Sequence, residues 1–341
     1  MLAQLETKTN HRNQFQLRHV THDDLLAVAE LLNTCAINET GAPDTNTNLI
    51  LSDWTGPSFD LASSVRVAET VDGQIVGYVE VWDSDPMPVS IWVWGRVHPD
   101  FEGLGIGTAM MDWVEERLQQ TLMRVPNELR VVYRSGGLKT HVPSIQFLED
   151  RGMKLVRYFW RMLVDLEEAP PQPIWPIGIT LQTLQELNDL KSVYRAFDDA
   201  FQDHWGYVKQ PEDEMISEWE HWISSDVEFD PAQWYLAMDG EEIAGFCLCR
   251  RREWADPDMG WINILGVRRP WRRKGLGLAM LHFAFREFHL RGKLRAGLGV
   301  DAGSLTGATR LYEKAGMHIA REIYTYEKEL RPGRDISKQA L

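Results

Sequence analysis

From Val267 the chain reads Val-Arg-Arg-Pro-Trp-Arg-Arg-Lys-Gly-Leu-Gly-Leu-Ala-Met, a basic loop punctuated by two glycines. These residue types at this spacing suit the holding of an anion. An apolar run, Trp261 to Val267, leads into the loop, and the amphipathic stretch Leu278 to Phe288 follows it, so the pattern predicts strand, tight turn and helix. The first N–H groups of a helix have no intrahelical acceptor, and the positive end of the helix dipole lies beside them. Gly275 and Gly277 let that backbone approach a ligand without a Cβ in the way. Arg272, Arg273 and Lys274 place three positive charges in a chain whose net charge is −14, and this local reversal of sign points to an anionic ligand. The P-loop spacing is absent, and the dinucleotide fingerprint lacks its third glycine.

The spacing Arg272-x-x-Gly275-x-Gly277 resembles the acetyl-CoA pyrophosphate loop of the GNAT N-acetyltransferase superfamily. A second stretch strengthens the resemblance. Leu298-Gly299-Val300-Asp301 is followed by Gly307 to Met317, in which Ala308, Leu311, Tyr312 and Ala315 share one helix face and Gly316 stands where a C-cap needs positive φ. Family members usually open this helix with Asn; here Ser304 or Thr306 must take that role. The resemblance implies that residues 272–278 (Arg272, Arg273, Lys274, Gly275, Leu276, Gly277, Leu278) hold the acetyl-CoA pyrophosphate. It also implies that backbone groups near Leu265, Gly266 and Val267 pair with the pantetheine arm where two strands splay. Tyr312 would protonate the departing thiolate, a task for a phenol that stays neutral at pH 7.

The length of 341 residues predicts two domains, and 44% apolar with 25% charged residues is a globular composition. Fourteen tryptophans imply large aromatic cores or an aromatic-lined cleft. The acidic balance argues against nucleic acid or an anionic membrane as partner and leaves an amine-bearing acceptor open. Cys35, Cys247 and Cys249 make no disulfide framework. Cys247 and Cys249 alternate on one strand face, where buried thiols rather than metal ligands are expected. No metal is expected. No apolar run reaches 18 residues and the stretch from Met1 to Asn13 is polar, so the expected compartment is the cytoplasm, with the chain a monomer or homodimer.

The first half repeats the second. Val97, Pro99, Gly105 and Gly107 lie 170 residues before Val267 and its proline and glycines, and Asp72-Gly73 matches Asp239-Gly240 as a hairpin turn. The halves part at Glu167 to Pro173, a proline-rich stretch. The predicted organisation is a first domain over 14–166, a linker over 167–176, a second domain over 177–330 and a mobile polar tail over 331–341. Each domain is expected as an α/β fold, a mixed, mostly antiparallel sheet with helices on both faces.

The two halves differ in chemistry. Glu102 stands at the Arg272 position, Asp100 adds a second negative charge, and Leu148 stands at the Tyr312 position. The first half is expected to lack turnover, while Val97, Gly103, Gly105 and Gly107 could still form a second CoA site. The resemblance implies direct transfer of an acetyl group to a primary amine of a small molecule; no Ser-His-Asp or Cys-His arrangement suggests an acyl-enzyme. Asp301 or Asn263, through a water, are the candidates for deprotonating that amine, and Asp203, His204 and Trp261 for lining its pocket. Among tandem members the arrangement resembles the mycothiol synthase family, in which an acidic residue contacts substrate where this chain has Trp261. A catalytically degenerate module that binds acyl-CoA or a protein is the alternative reading.

Overall fold

The structure is a computed structural model that describes residues 15–253, 256–303 and 307–337. Ser304 and Thr306, the expected caps, and the segment from Met1 to Asn13 lie outside the described residues. The chain forms two compact units, each a mostly antiparallel sheet with helices.

The first unit contains β1 (Phe15–His19), α1 (Leu25–Thr40), α2 (Thr47–Trp54), α3 (Leu61–Ser64), β2 (Val65–Thr70), β3 (Ile75–Trp82), β4 (Ser90–Val97), α4 (Ile106–Leu122) and β5 (Val131–Leu138), whose last residues pass into the second unit. The same holds, at its first residue, for α5 (Val142–Asp150). β1 to β4 pair antiparallel and β4 to β5 parallel. Strand alternation sends Tyr78 under α1 and α2, whereas Gly77 turns to the other face, where a Cβ would meet Ile106 and Met110 of α4 at 2.8 and 3.1 Å. Gly73 turns the β2–β3 hairpin at a φ of 87°, open to glycine at no steric cost.

The second unit contains β6 (Lys154–Asp165), β7 (Ile179–Thr183), α6 (Leu184–Leu187), α7 (Leu190–Phe201), α8 (Glu212–Ser225), β8 (Trp234–Asp239), β9 (Glu242–Arg250), β10 (Met259–Val267), α9 (Leu276–Leu290), β11 (Arg295–Asp301), α10 (Ala308–Lys314) and the start of β12 (His318–Arg331). β7 to β10 pair antiparallel, β10 and β11 parallel, and β11 runs antiparallel to β6. The period of two is legible in the core. Trp234, Leu236, Met238, Phe246 and Leu248 pack under α7 and α8, and Tyr235, Ala237, Cys247 and Cys249 pack under α9. Burying each large apolar side chain contributes about 1.5–3 kcal/mol. The Cys247 and Cys249 thiols lie 3.7 Å apart, fully buried, and burial pushes the Cys249 thiol well above its ordinary range.

The compact units do not follow the repeat. β6 precedes the proline-rich stretch in sequence, yet all of it beyond Lys154 belongs to the second unit, and Tyr326–Ile336 belongs to the first. The proline-rich stretch itself lies on α9, where Arg286 donates to the Pro170 carbonyl at 2.9 Å and Trp175 packs on Phe283. The expectation of a mobile tail from residue 331 is corrected here. Arg331 donates to the carbonyls of Leu122, Val125, Pro126 and Leu129, and Arg334 exchanges backbone bonds with Glu128 and Arg130. A guanidinium surrounded by carbonyl acceptors fixes that segment.

Candidate active site

After β10 the chain makes a 3-10 turn at Arg269–Trp271, with Pro270 supplying a preset φ, and then enters α9. Arg273 has a φ of 60° and Gly275, the N-cap of α9, one of 86°. The loop of the first unit repeats this path with Gly103 at 74° and Gly105 at 87°. Arg273 therefore holds with a side chain a left-handed conformation that glycine takes freely, at a cost of about 1 kcal/mol. Helix geometry leaves the N–H groups of Leu276, Gly277 and Leu278 without intrahelical acceptors.

The side chains of the loop divide. Arg272 turns inward: its Nε donates to the Val267 carbonyl at 2.9 Å, Nη2 to that of Ala200 at 2.7 Å and Nη1 to the Asp203 carboxylate at 2.5 Å. It thereby braces the loop against the end of α7. Arg273 and Lys274 are exposed, with no ion-pair partner among the described residues. Two of the three cations thus face outward.

Gly277 serves packing as well. A Cβ there would stand 3.0 Å from Leu311 of α10 and 3.7 Å from Val267. In the first unit a Cβ on Gly107 would stand 3.5 Å from Phe147 and 3.8 Å from Val97. The two contacts superpose Phe147 on Leu311 and hence Leu148 on Tyr312. Leu148 is buried, so an apolar side chain stands where the second unit has a phenol.

β10 and β11 pair only over Met259–Ile262 and Arg295–Leu298. At the next residue the register of β10 against β9 slips, leaving Asn263 as a bulge. A bulge bends its strand and increases its twist. Between Ile264–Val267 and Gly299–Asp301 lies a cavity of about 740 Å³, which Asn263, Leu265, Gly266, Val267, Arg273 and Tyr312 all line. The parallel pairing of β4 with β5 is shorter still, Ser90–Trp92, but β4 runs against β3 without a register slip.

Tyr312 is 7% exposed, and no described residue hydrogen-bonds its hydroxyl. Burial holds the phenol well above its ordinary pKa, so it enters any reaction protonated. Asp301 lines the same cavity, but its oxygens are engaged: Arg157 Nε donates to Oδ2 at 3.1 Å and the Gly303 N–H to Oδ1 at 2.9 Å. Asp203 faces Arg272, whose hydrogen bond holds its carboxyl below the usual range. His204 packs on Phe201 with ring centres 4.3 Å apart. Burial lowers the pKa of His204, with Asp203 and Asp301 opposing and Arg272 assisting. Among the described residues lining the cavity it is the one imidazole, and it is neutral at pH 7.

Trp261, expected in the acceptor pocket, is not among the residues lining this cavity. Its ring lies under the Arg161 guanidinium at 4.7 Å and covers Gly297. In its place come Arg157 and Phe159 of β6, with Phe197, Phe201 and Trp205. The apolar face of α7 could have announced Phe197 and Phe201, which stand four residues apart. No local signal announces Arg157, which reaches the site through strand pairing. α10 opens at Gly307, whose φ of 73° replaces a side-chain cap.

Two family models match. The "Acetyltransferase (GNAT) family" covers residues 190–317 and an "Acetyltransferase (GNAT) domain" covers residues 62–140. A mycothiol acetyltransferase of Streptomyces scabiei is 29% identical over 76% of this chain and 77% of its own length. That of Thermobispora bispora is 27% identical over 87% and 93%. Among solved structures, a GCN5-related N-acetyltransferase from Sphaerobacter thermophilus is 33% identical with a TM-score of 0.76, covering 94% of this chain and 97% of that one. A tandem GNAT protein of the clavulanic acid pathway shares the fold at a TM-score of 0.69 and 15% identity, over 94% and 100%.

Proposed function

Because the chain belongs to the GNAT family of acetyltransferases, we propose that its second unit transfers the acetyl group of acetyl-CoA to a primary amine of a small molecule, and that the first unit is catalytically silent. The observation carrying this reading is the splay beyond Ile262. It opens one cavity that a helix N-terminal amide cluster, an unpaired strand edge and a protonated phenol all line.

Each group then has a task. The N–H groups at the start of α9 receive the pyrophosphate, with Arg273 and Lys274 as outward charges and Arg272 as the brace. Main-chain groups of β10 at Leu265–Val267 align the thioester and hold the oxyanion as it forms. Neutral His204 takes a proton from the ammonium form of the acceptor, directly or through a water ordered at Asn263. The amine nitrogen attacks the carbonyl carbon, the C–N bond forms and the C–S bond breaks. Tyr312 gives its proton to the departing sulfur, and the excess proton that the nitrogen carries after attack returns through solvent to the phenolate, leaving an amide and free CoA. Asp301, engaged by Arg157 and Gly303, shapes the acceptor end rather than serving as base.

In the first unit the loop backbone persists, but Asp100, Glu102 and Leu148 replace the cationic and proton-donating groups, so CoA binding at Gly103, Gly105 and Gly107 without turnover is the reading there. A mycothiol-type acceptor is a narrower possibility that the 27–29% identity to mycothiol acetyltransferases favours. The test is release of free thiol from acetyl-CoA against a panel of small primary amines that includes a cysteinyl amino sugar. Thiol release dependent on one amine class supports the reading. Acetyl-CoA binding with no amine-dependent release would leave the degenerate-module alternative.

A further inference from the structure

We propose that the first unit carries a binding site for an organic ammonium cation, separate from the acetyl-transfer site. It is a cleft of about 550 Å³ between the sheet and the helices α1 and α2. Volumes of this order accept small ligands.

The site follows from strand periodicity. Tyr78, Glu80 and Trp82 occupy alternate positions of β3, and Trp92 and Trp94 alternate positions of β4; the register sets Glu80 opposite Trp94 and Trp82 opposite Trp92. All five side chains therefore stand on one face of the sheet. Trp54 of α2 closes the group, with its Nε1 donating to the Tyr78 hydroxyl at 3.0 Å, and that hydroxyl donates to Glu80 Oε2 at 2.6 Å. Asp44 and Asp53 line the same cleft, and no Lys, Arg or His is among its described lining residues.

Four indoles, a phenol and three carboxylic acids in one cleft define its preference. Aromatic faces attract cations through their quadrupole, most strongly where water is excluded. The carboxylates set the sign of the field. The chain has also arranged these groups at a cost. Burial, with the charge of Asp53, pushes the Glu80 carboxyl up to about 7, against the hydrogen bond from Tyr78 that lowers it. A carboxyl so destabilised as an anion gains most when a cation arrives beside it. One aromatic face is already satisfied in this way, since the Arg96 guanidinium lies 4.7 Å over the Trp94 ring. Phe59 packs on Trp82 at 4.6 Å and stiffens that wall.

An ordinary apolar core would need neither Glu80 nor the two aspartates, and a hydration pocket would not need four indoles. A methylated ammonium fits both halves of the composition, because its methyl groups pack on rings and its charge needs no hydrogen-bond acceptor of its own.

The experiment is calorimetric titration of the full chain at pH 8 with choline and with its uncharged isostere 3,3-dimethyl-1-butanol. Choline is expected to bind at least tenfold more tightly than the isostere. Glu80→Gln, which retains an acceptor for Tyr78, and Trp92→Leu, at the most exposed indole, are each expected to weaken choline by tenfold or more with acetyl-CoA binding unchanged. Equal binding of the two probes, no binding of choline up to 10 mM (about 2.7 kcal/mol of standard affinity, from the tenfold-per-1.4 relation), or an unchanged choline affinity in folded Glu80→Gln would overturn the proposal. None of these outcomes depends on whether the second unit turns over acetyl-CoA.

Discussion

The Arg272 guanidinium donates to the Asp203 carboxylate at 2.5 Å, and the bond anchors the glycine-rich loop before α9 to the residues just beyond α7. The loop proposed to receive the anionic substrate is thereby coupled to the segment that presents His204. Replacing Arg272 by Ala leaves Asp203 the longer 3.6 Å pair to Arg269 and removes the donor to two carbonyls, at about 1–3 kcal/mol. Thermal unfolding should show that loss, and acetyl-CoA affinity should weaken with it. Arg272→Glu should be worse on both counts, because it sets two carboxylates against each other.

The same pair predicts an acid response. Asp203 has a folded-state pKa depressed by Arg272, so its contribution is complete above the unfolded value of about 3.9 and is lost as pH falls through the lower folded value. The drop in melting temperature between pH 7 and pH 3 should be smaller in Asp203→Asn than in the unmodified chain. An identical drop would mean that the bond contributes nothing to stability.

Tyr312→Phe keeps the buried ring and deletes only a hydroxyl that no described residue bonds. Stability should change by less than about 1 kcal/mol. Turnover should fall by about 10- to 1,000-fold with the KM for acetyl-CoA little altered. A kcat within twofold of the unmodified enzyme would return Tyr312 to a packing role.

If neutral His204 takes the proton, activity must follow its imidazole. Burial lowers its pKa below 6.5, so kcat/KM should hold down to that pH and decline only at more acid values. In His204→Gln that acid limb should vanish along with most of the rate. Retention of the limb in the variant would assign the base elsewhere.

Arg273 occupies a left-handed conformation that the matching Gly103 takes without strain. Arg273→Gly should leave stability within about 1 kcal/mol, as relieved strain offsets added unfolded-state freedom. The KM for acetyl-CoA should rise several-fold, and its dependence on ionic strength should flatten, because an outward charge has been removed. A variant with unchanged KM and salt dependence would place the pyrophosphate on backbone amides alone.

Much of this molecule was legible along the chain because the relevant physics is local. A glycine such as Gly275 demands positive φ wherever the fold places it. Alternation at Cys247 and Cys249 sorts the side chains that face α9 from those that face α7 and α8, and the Asp72-Gly73 and Asp239-Gly240 turns close their hairpins from a few neighbouring residues. The GNAT fold and the loop–helix geometry follow from such signals. The site required more. Arg157 reaches Asp301 because β6 pairs with β11 across the proline-rich stretch, a choice made by competing long-range packings that no sequence window contains. Trp261 left the expected pocket because its ring took up the Arg161 guanidinium, and the slip at Asn263, two residues further along the strand, exists only relative to the register of β9. Arg272 turned inward because Asp203 and the Ala200 carbonyl happen to end a helix beside it. The four indoles around Glu80 are scattered from Trp54 to Trp94 and become a cleft only when β3, β4 and α2 are brought together. Backbone conformation is set by nearest neighbours; the partners of a charged or aromatic side chain are set by whichever distant segment packing delivers.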